Sequence, residues 1–167
     1  LDWASVDRRT SLSVYGQRDL VRPLDIDGDG FTEVARRSLS AGGARANRFF
    51  GDGRAKLTMD VSVVSEARRG GDRLDLAPHE AEIAESITSQ RTSGTVTWYH
   101  QPAADLDYRV TLAAAATDRD SYYGLGRDPN AYGNTTSDLL LGDVQVNHYR
   151  GRHTLSWGVQ RTHDTTR

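Results

Sequence analysis

The stretch KLTMDVSV, Lys56 to Val63, alternates without a break. Leu57, Met59, Val61 and Val63 hold the odd positions, and Lys56, Thr58, Asp60 and Ser62 the even ones. Side chains on a strand point to opposite faces with a period of two, so this run predicts a strand with one apolar and one polar face. The same signature recurs along the chain. Leu155, Trp157 and Val159 oppose Thr154, Ser156, Gly158 and Gln160. Tyr108, Val110, Leu112, Ala114 and Ala116 oppose Arg109, Thr111, Ala113, Ala115 and Thr117. Leu140, Gly142, Val144 and Val146 oppose Leu141, Asp143, Gln145 and Asn147, and shorter runs surround Leu12 and Val14, and Val96 and Trp98.

These runs predict an all-β protein, an antiparallel up-and-down meander of about seven long strands, near 10–20, 31–49, 55–69, 84–100, 106–120, 136–149 and 152–163. The segment from Phe31 to Phe50 alternates least and is placed as a strand by its neighbours. Helical periodicity is confined to PHEAEIAESI, Pro78 to Ile87, enough for a turn or two. Connections alternate in length. RPLDIDGDG, GGDRLDLAPHEAE and GLGRDPNAYGNTT are long; GDGR, QPAADLD and the turn at Gly151 are shorter. In a meander this puts the long loops at one end of the sheet and the short turns at the other, the pattern of an outer-membrane barrel. Phe49, Phe50, Trp98, Tyr99, Tyr108 and Tyr149 gather at the short-turn end, where an interfacial girdle would lie. A soluble antiparallel sheet also alternates, with one face on a core. The alternative reading is therefore a soluble or surface β-sheet module of the calcium-binding, adhesin-like kind.

Composition narrows the classes. The hydrophobic fraction of 37% leaves little for a dry core. With 21 basic and 23 acidic residues intermixed, the net charge of −2 gives no nucleic-acid footprint. Without cysteine there is neither a disulfide framework nor a thiolate metal site. Catalysis finds no pattern. His79, His100, His148, His153 and His163 lack HExxH spacing, Ser121 sits in no GxSxG elbow, and the carboxylates are scattered. No catalytic residue is assigned. The glycines at 51–53 and 70–71 read as hairpin turns.

TDRDSYYGLGRDPNAYG, Thr117 to Gly133, resembles a segment of TonB-dependent outer-membrane receptors, the broad group that includes cobalamin, siderophore and colicin receptors. RRGGDRLDLAPHEAEIAE, Arg68 to Glu85, resembles the loop that precedes it there, and DGDGFTE a loop earlier still. The resemblance runs from about residue 10 to 160. It implies a barrel of about 22 strands with a plugged lumen. It also implies a Gram-negative outer-membrane location, import of a scarce small molecule such as a siderophore or cobalamin, and energy drawn from TonB. The chain lacks a plug domain, a TonB-contacting N-terminal segment and most of those strands, so residues 1–167 read as one internal part of such a barrel. Its partners would be outer-membrane lipid, the plug and the remaining strands. The lipid-facing set would be Leu57, Val61, Val63, Val110, Leu112, Val144, Val146, Leu155 and Trp157. Arg109, Thr111, Asp143, Gln145 and Asn147 would face the lumen.

Two loops carry candidate chemistry. Asp25, Asp27 and Asp29 occupy positions 1, 3 and 5 of an EF-hand-like loop, with the Phe31 carbonyl at 7. Position 12, a bidentate Glu in an EF-hand, is Arg36, and the flanks are strand-like. What remains is a looser calcium site, with Glu33 or another carboxylate completing it, set against a solvated acidic turn. Calcium is the one candidate cofactor. In the second loop Asp118, Arg119, Asp120, Tyr122, Tyr123 and Tyr132 are candidate contacts for a small-molecule ligand.

Overall fold

Each alternating run becomes a strand in the computed structural model, which describes residues 1–167. The strands are β1 (Asp2–Ala4), β2 (Thr10–Val21), β3 (Thr32–Phe50), β4 (Ala55–Gly71), β5 (Ile83–Ala103), β6 (Leu106–Leu125), β7 (Tyr132–Arg150) and β8 (His153–Thr166). They form one antiparallel sheet in chain order, each strand bonded only to its sequence neighbours, and β1 does not meet β8. The expected seven strands are β2 to β8. The eighth, β1, is three residues long and too short to show a period; it pairs Trp3 with Leu12. The helical signal at Pro78 shrinks to a single 3-10 turn, Pro78–Glu80, because β5 already begins at Ile83. Gly70 and Gly71 are not a hairpin turn: they close β4, paired with Glu85 and Ala84.

The loop asymmetry is as expected. Segments 22–31, 72–82 and 126–131 lie at one end, and the tight connections at 51–54, 104–105 and 151–152 at the other. Several strands run further into the long loops than alternation indicates. β6 continues to Leu125 and β7 starts at Tyr132, where aromatic and small polar residues blur the period.

Cross-strand pairing settles which residues share a face. Leu57, Trp98, Val110, Val144 and Val159 form one row, and Met59, Val96, Leu112 and Gly142 the next. Between them, on the other face, run Thr58, Thr97, Thr111, Asp143 and Gln160. The two expected sets, apolar and polar, thus fall on opposite faces. Exposure is inverted relative to a soluble sheet. On the apolar face Leu112 is 58% exposed, Leu140 57% and Trp157 59%. In β4 every polar-face residue from Lys56 to Glu66 is half-buried, while Met59, Val61 and Val63 are exposed.

The polar face covers itself by side-chain ladders. Asn47 donates to Ser11 (3.2 Å) and accepts from Thr58 (3.0 Å). Ser62 meets Ser93 at 2.8 Å, and Thr97 meets Thr111 at 3.2 Å. Arg45 pairs with Asp60 at 2.6 Å, and Arg109 donates to Gln145 at 2.6 Å. No comparable layer covers the apolar face. The buried hydrophobic residues number four, Ala55, Ala81, Ala84 and Tyr122.

The apolar run does not stay level with the strand register. With Leu12, Val14 and Gly16 as the run in β2 and Leu155, Trp157 and Val159 in β8, its middle is Val14 at one side and Trp157 at the other. Through their cross-strand partners, Val14 lies in the row of Val61, and Trp157 in the row of Ala55. The run therefore slips six β4 positions over the six steps from β2 to β8. At about 3.3 Å per residue and about 4.8 Å between strands, a level belt crosses this sheet with the strands tilted by about 35°.

Candidate functional site

The acidic loop is built by its own backbone. A bridge between Leu24 and Val34 closes its base. Within it, the Asp25 carboxylate accepts the N–H groups of Gly28 (2.7 Å) and Gly30 (2.9 Å), and Asp29 accepts that of Phe31 (2.8 Å). Gly28 and Gly30 take φ of +78° and +87°, conformations that disfavour other residues and let the chain curl around the carboxylates. Glu33 folds back to accept Ile26 N–H at 2.7 Å. One carboxylate oxygen from each of Asp25, Asp27, Asp29 and Glu33 lies within 4.8 Å of the others. Oxygens around a calcium ion lie about 2.3–2.6 Å from it, so a pair on opposite sides is about 5 Å apart. The four groups fit that shell. Glu33 thus joins the three aspartates, in the ninth position of the motif, while Arg36 points to other work.

The second set of candidates is divided by the same alternation that builds the sheet. Asp118, Asp120, Tyr122 and Tyr132 lie on the apolar side of β6 and β7, whereas Arg119 and Tyr123 lie on the polar side. Asn134 donates to both Asp118 (3.1 Å) and Asp120 (2.9 Å), and Arg119 donates to the Tyr123 hydroxyl at 2.8 Å. Tyr122 is only 1% exposed. Its ring packs on Tyr132 at 4.7 Å between centroids, and its hydroxyl donates to the Asp128 carbonyl at 3.0 Å. These six residues do not form one ligand wall, and Tyr122 is a packing residue. Tyr132 is half exposed, its hydroxyl 2.8 Å from His79 Nδ1.

The loop over residues 72–82 makes this packing possible. It folds back so that Ala81 and Ala84 pack with Tyr122, Ala131 lying against them. Asp72 anchors the return by accepting the N–H of Ile83 at 2.9 Å and of Glu82 at 3.4 Å. Burial opposes ionisation of this carboxyl and is the largest influence on it, but those hydrogen bonds, with Arg73 nearby, outweigh it and hold the group below its ordinary value of 3.8.

Two further residues escape a reading by local pattern. Arg36 and Arg69 stand directly opposite each other on the apolar side of β3 and β4, and Arg37 and Arg68 stand opposite each other on the polar side. The signal is the pair of doublets Arg36-Arg37 and Arg68-Arg69. Counting outward from the Phe50–Ala55 pair that flanks the Gly51–Gly53 turn brings them into register.

At the short-turn end, Phe50, Trp98, His100 and Tyr108 stack in sequence, with centroids 5.6, 6.2 and 5.4 Å apart. They border the apolar face. Compared with known proteins, the chain matches no family model, no curated protein sequence and no solved structure.

Proposed function

We propose that this chain is a section of a transmembrane β-barrel in a Gram-negative outer membrane, of the TonB-dependent receptor kind its sequence resembles. The carrying observation is the inverted exposure: bare apolar residues on one face and hydrogen-bonded polar ladders on the other. In water such a face is a large unpartnered patch; in lipid it is the ordinary outer surface of a barrel. Three features support the same reading. Loop lengths alternate between the ends. An aromatic row borders the apolar face at the short-turn end. The drift of the apolar run corresponds to a strand tilt of about 35°, at the lower end of the range of about 35–45° for outer-membrane barrels. Lipid does not tolerate unpaired strand edges, so the reading includes further strands beside β1 and β8. Within it, the polar face lines the lumen, and the whole receptor imports a scarce small molecule across that lumen. The chain has no catalytic role in this proposal.

The experiment is folding with and without an amphiphile. Transferred from denaturant into detergent micelles, where water and headgroups reach the free edges of β1 and β8, the chain should regain strand content by circular dichroism and protect its strands from protease. Cooperative folding to a monomer in plain buffer would sink the proposal and favour the soluble, adhesin-like module.

The acidic loop adds a second, separable proposal. Asp25, Asp27, Asp29 and Glu33 bind calcium and thereby order the first long loop. Calorimetric titration with calcium should show one site that is lost in the Asp27→Ala/Asp29→Ala variant; equal heats from both proteins would remove it.

A further inference from the structure

The two cross-strand arginine pairs make an internal control. Like charges directly opposite one another destabilise a sheet, and on the polar face the cost is met by carboxylates. Arg37 reaches Glu66 at 2.6 Å and Asp19 at 3.3 Å, and Arg68 reaches Glu85 at 3.2 Å. On the other face Arg36 and Arg69 have no carboxylate within salt-bridge distance. Arg36 donates to the Leu74 carbonyl at 3.3 Å. Arg69 is 7% exposed; it donates to the carbonyls of Gly70, Asp72 and Arg73, and its Nε has no partner. This buried guanidinium stands beside a second one, hydrogen-bonds neutral acceptors only, and feels the Asp72 carboxylate from beyond salt-bridge distance, so one of its N–H groups stays unpaired.

Both arginines line a hollow of about 280 Å³. Ser38, Ser86 and Thr88 also line it, with Leu74, Leu76 and Pro78. Ser86 is the cross-strand partner of Arg69 on β5, and Ser38 and Thr88 both pair with Ala67, two residues before Arg69. Two arginines and three hydroxyl-bearing residues around one hollow, contributed by three strands, match a tetrahedral oxyanion, which presents acceptors in several directions. The volume, near the lower bound of about 300 Å³ for ligand pockets, suits a small compound.

We propose that Arg36 and Arg69, with Ser38, Ser86 and Thr88, bind phosphate or a small phosphate monoester. Height decides the source, and this step rests on the membrane reading. Arg69 lies six residues beyond Val63, where the unbroken apolar run of β4 ends, about 20 Å along the strand and so about 16 Å in height at a tilt of about 35°. The headgroup layer adds only about 5–8 Å to each side of the hydrocarbon. An ordinary lipid phosphate falls short of the hollow, so the anion comes from solution at the long-loop end.

The test uses the full chain refolded in detergent micelles, with strand content checked by circular dichroism for every variant. Titration with inorganic phosphate, and separately with glycerol 3-phosphate, should give saturable binding. Arg36→Gln, an exposed position whose change leaves the buried Arg69 in place, should weaken it about tenfold or more. Arg37→Gln, on the opposite face and outside the wall of the hollow, should leave it unchanged. Equal affinity in Arg36→Gln, or no saturable binding by the folded chain, overturns the proposal. So does binding that appears only in vesicles containing phosphatidylglycerol and is not displaced by inorganic phosphate, since that would make a lipid headgroup the ligand. A chain that binds phosphate yet folds in plain buffer would separate this site from the membrane reading and leave the site standing.

Discussion

Leu112 and Tyr122 lie on the same face of the same strand, ten residues apart, and their surroundings are opposite. Tyr122 is sealed under the chain's own loop, with Ala81, Ala84 and Ala131 packed around it and its hydroxyl bonded to Asp128. Leu112 stands bare in a row with Met59 and Val96. At the long-loop end the protein spends an eleven-residue connection, 72–82, on covering an aromatic; lower down it leaves a broad apolar surface without a lid. On the membrane reading proposed above, the difference gives each zone its own solvent. In that reading water bathes the long-loop end, where apolar groups must be hidden. The lower region is suited to hydrocarbon, where an exposed leucine needs no cover.

The largest effect should come from destroying the seal. Tyr122→Ala leaves a cavity of the kind that costs about 3–5 kcal/mol for a large aromatic. Amide exchange at Ala81 and Ala84 should accelerate strongly, while the strands around Leu112 stay protected. Uniform acceleration through β6 would mean the two zones are one cooperative unit. Next, on the proposed membrane reading, Leu112→Arg should cost about 2–4 kcal/mol of folding stability when the sheet is completed by its neighbouring strands in vesicles, as a cation facing lipid near the midplane does. Thr111→Arg is the matched control, because Asp143 lies directly across from it on the polar face. Equal losses from the two would erase the distinction between faces.

A finer cut is Tyr122→Phe, which keeps the packing and removes the bond to the Asp128 carbonyl. About 1 kcal/mol should be lost, confined to the 126–131 loop. The smallest effect is acid. The folded value of Asp72 lies below its ordinary 3.8, so its contribution to the 72–82 loop is complete above that pH and disappears as the pH falls through the folded value. Protease cleavage within 72–82, assayed with an acid-active protease on the chain folded in detergent micelles, should rise over that window and much less in Asp72→Asn. Parallel profiles for both proteins would place the acid sensitivity elsewhere.

The strands and their faces were legible in the sequence because a period of two survives wherever one side of a sheet meets a uniform environment. Lys56 to Val63 carries that pattern, and its face assignments extend by pairing to Val110, Val144 and Trp157. Three residues at Asp2–Ala4 cannot carry it. The loop chemistry was half legible. Spacing marked Asp25, Asp27 and Asp29 and left Glu33 or another carboxylate to complete them; Glu33 is the one brought in, because the turn reverses the chain. The fate of Tyr122 was illegible, since its burial depends on where residues 72–82 land, a tertiary event with no local period. Arg69 hides for the same reason, although the hairpin count at Phe50 and Ala55 brings it opposite Arg36.

One further consequence lies in the order of the strands, which is simply the order of the chain. Every pairing joins segments separated by a single connection, so each loop closes over a modest span and the entropic barrier to each step stays low. The sheet can therefore grow one hairpin at a time, each new strand using the last as its template. Assembly of this kind has no late step that must bring distant parts of these 167 residues together. Its vulnerable moment is always the newest edge, and β8, exposed along nearly its whole length, is such an edge.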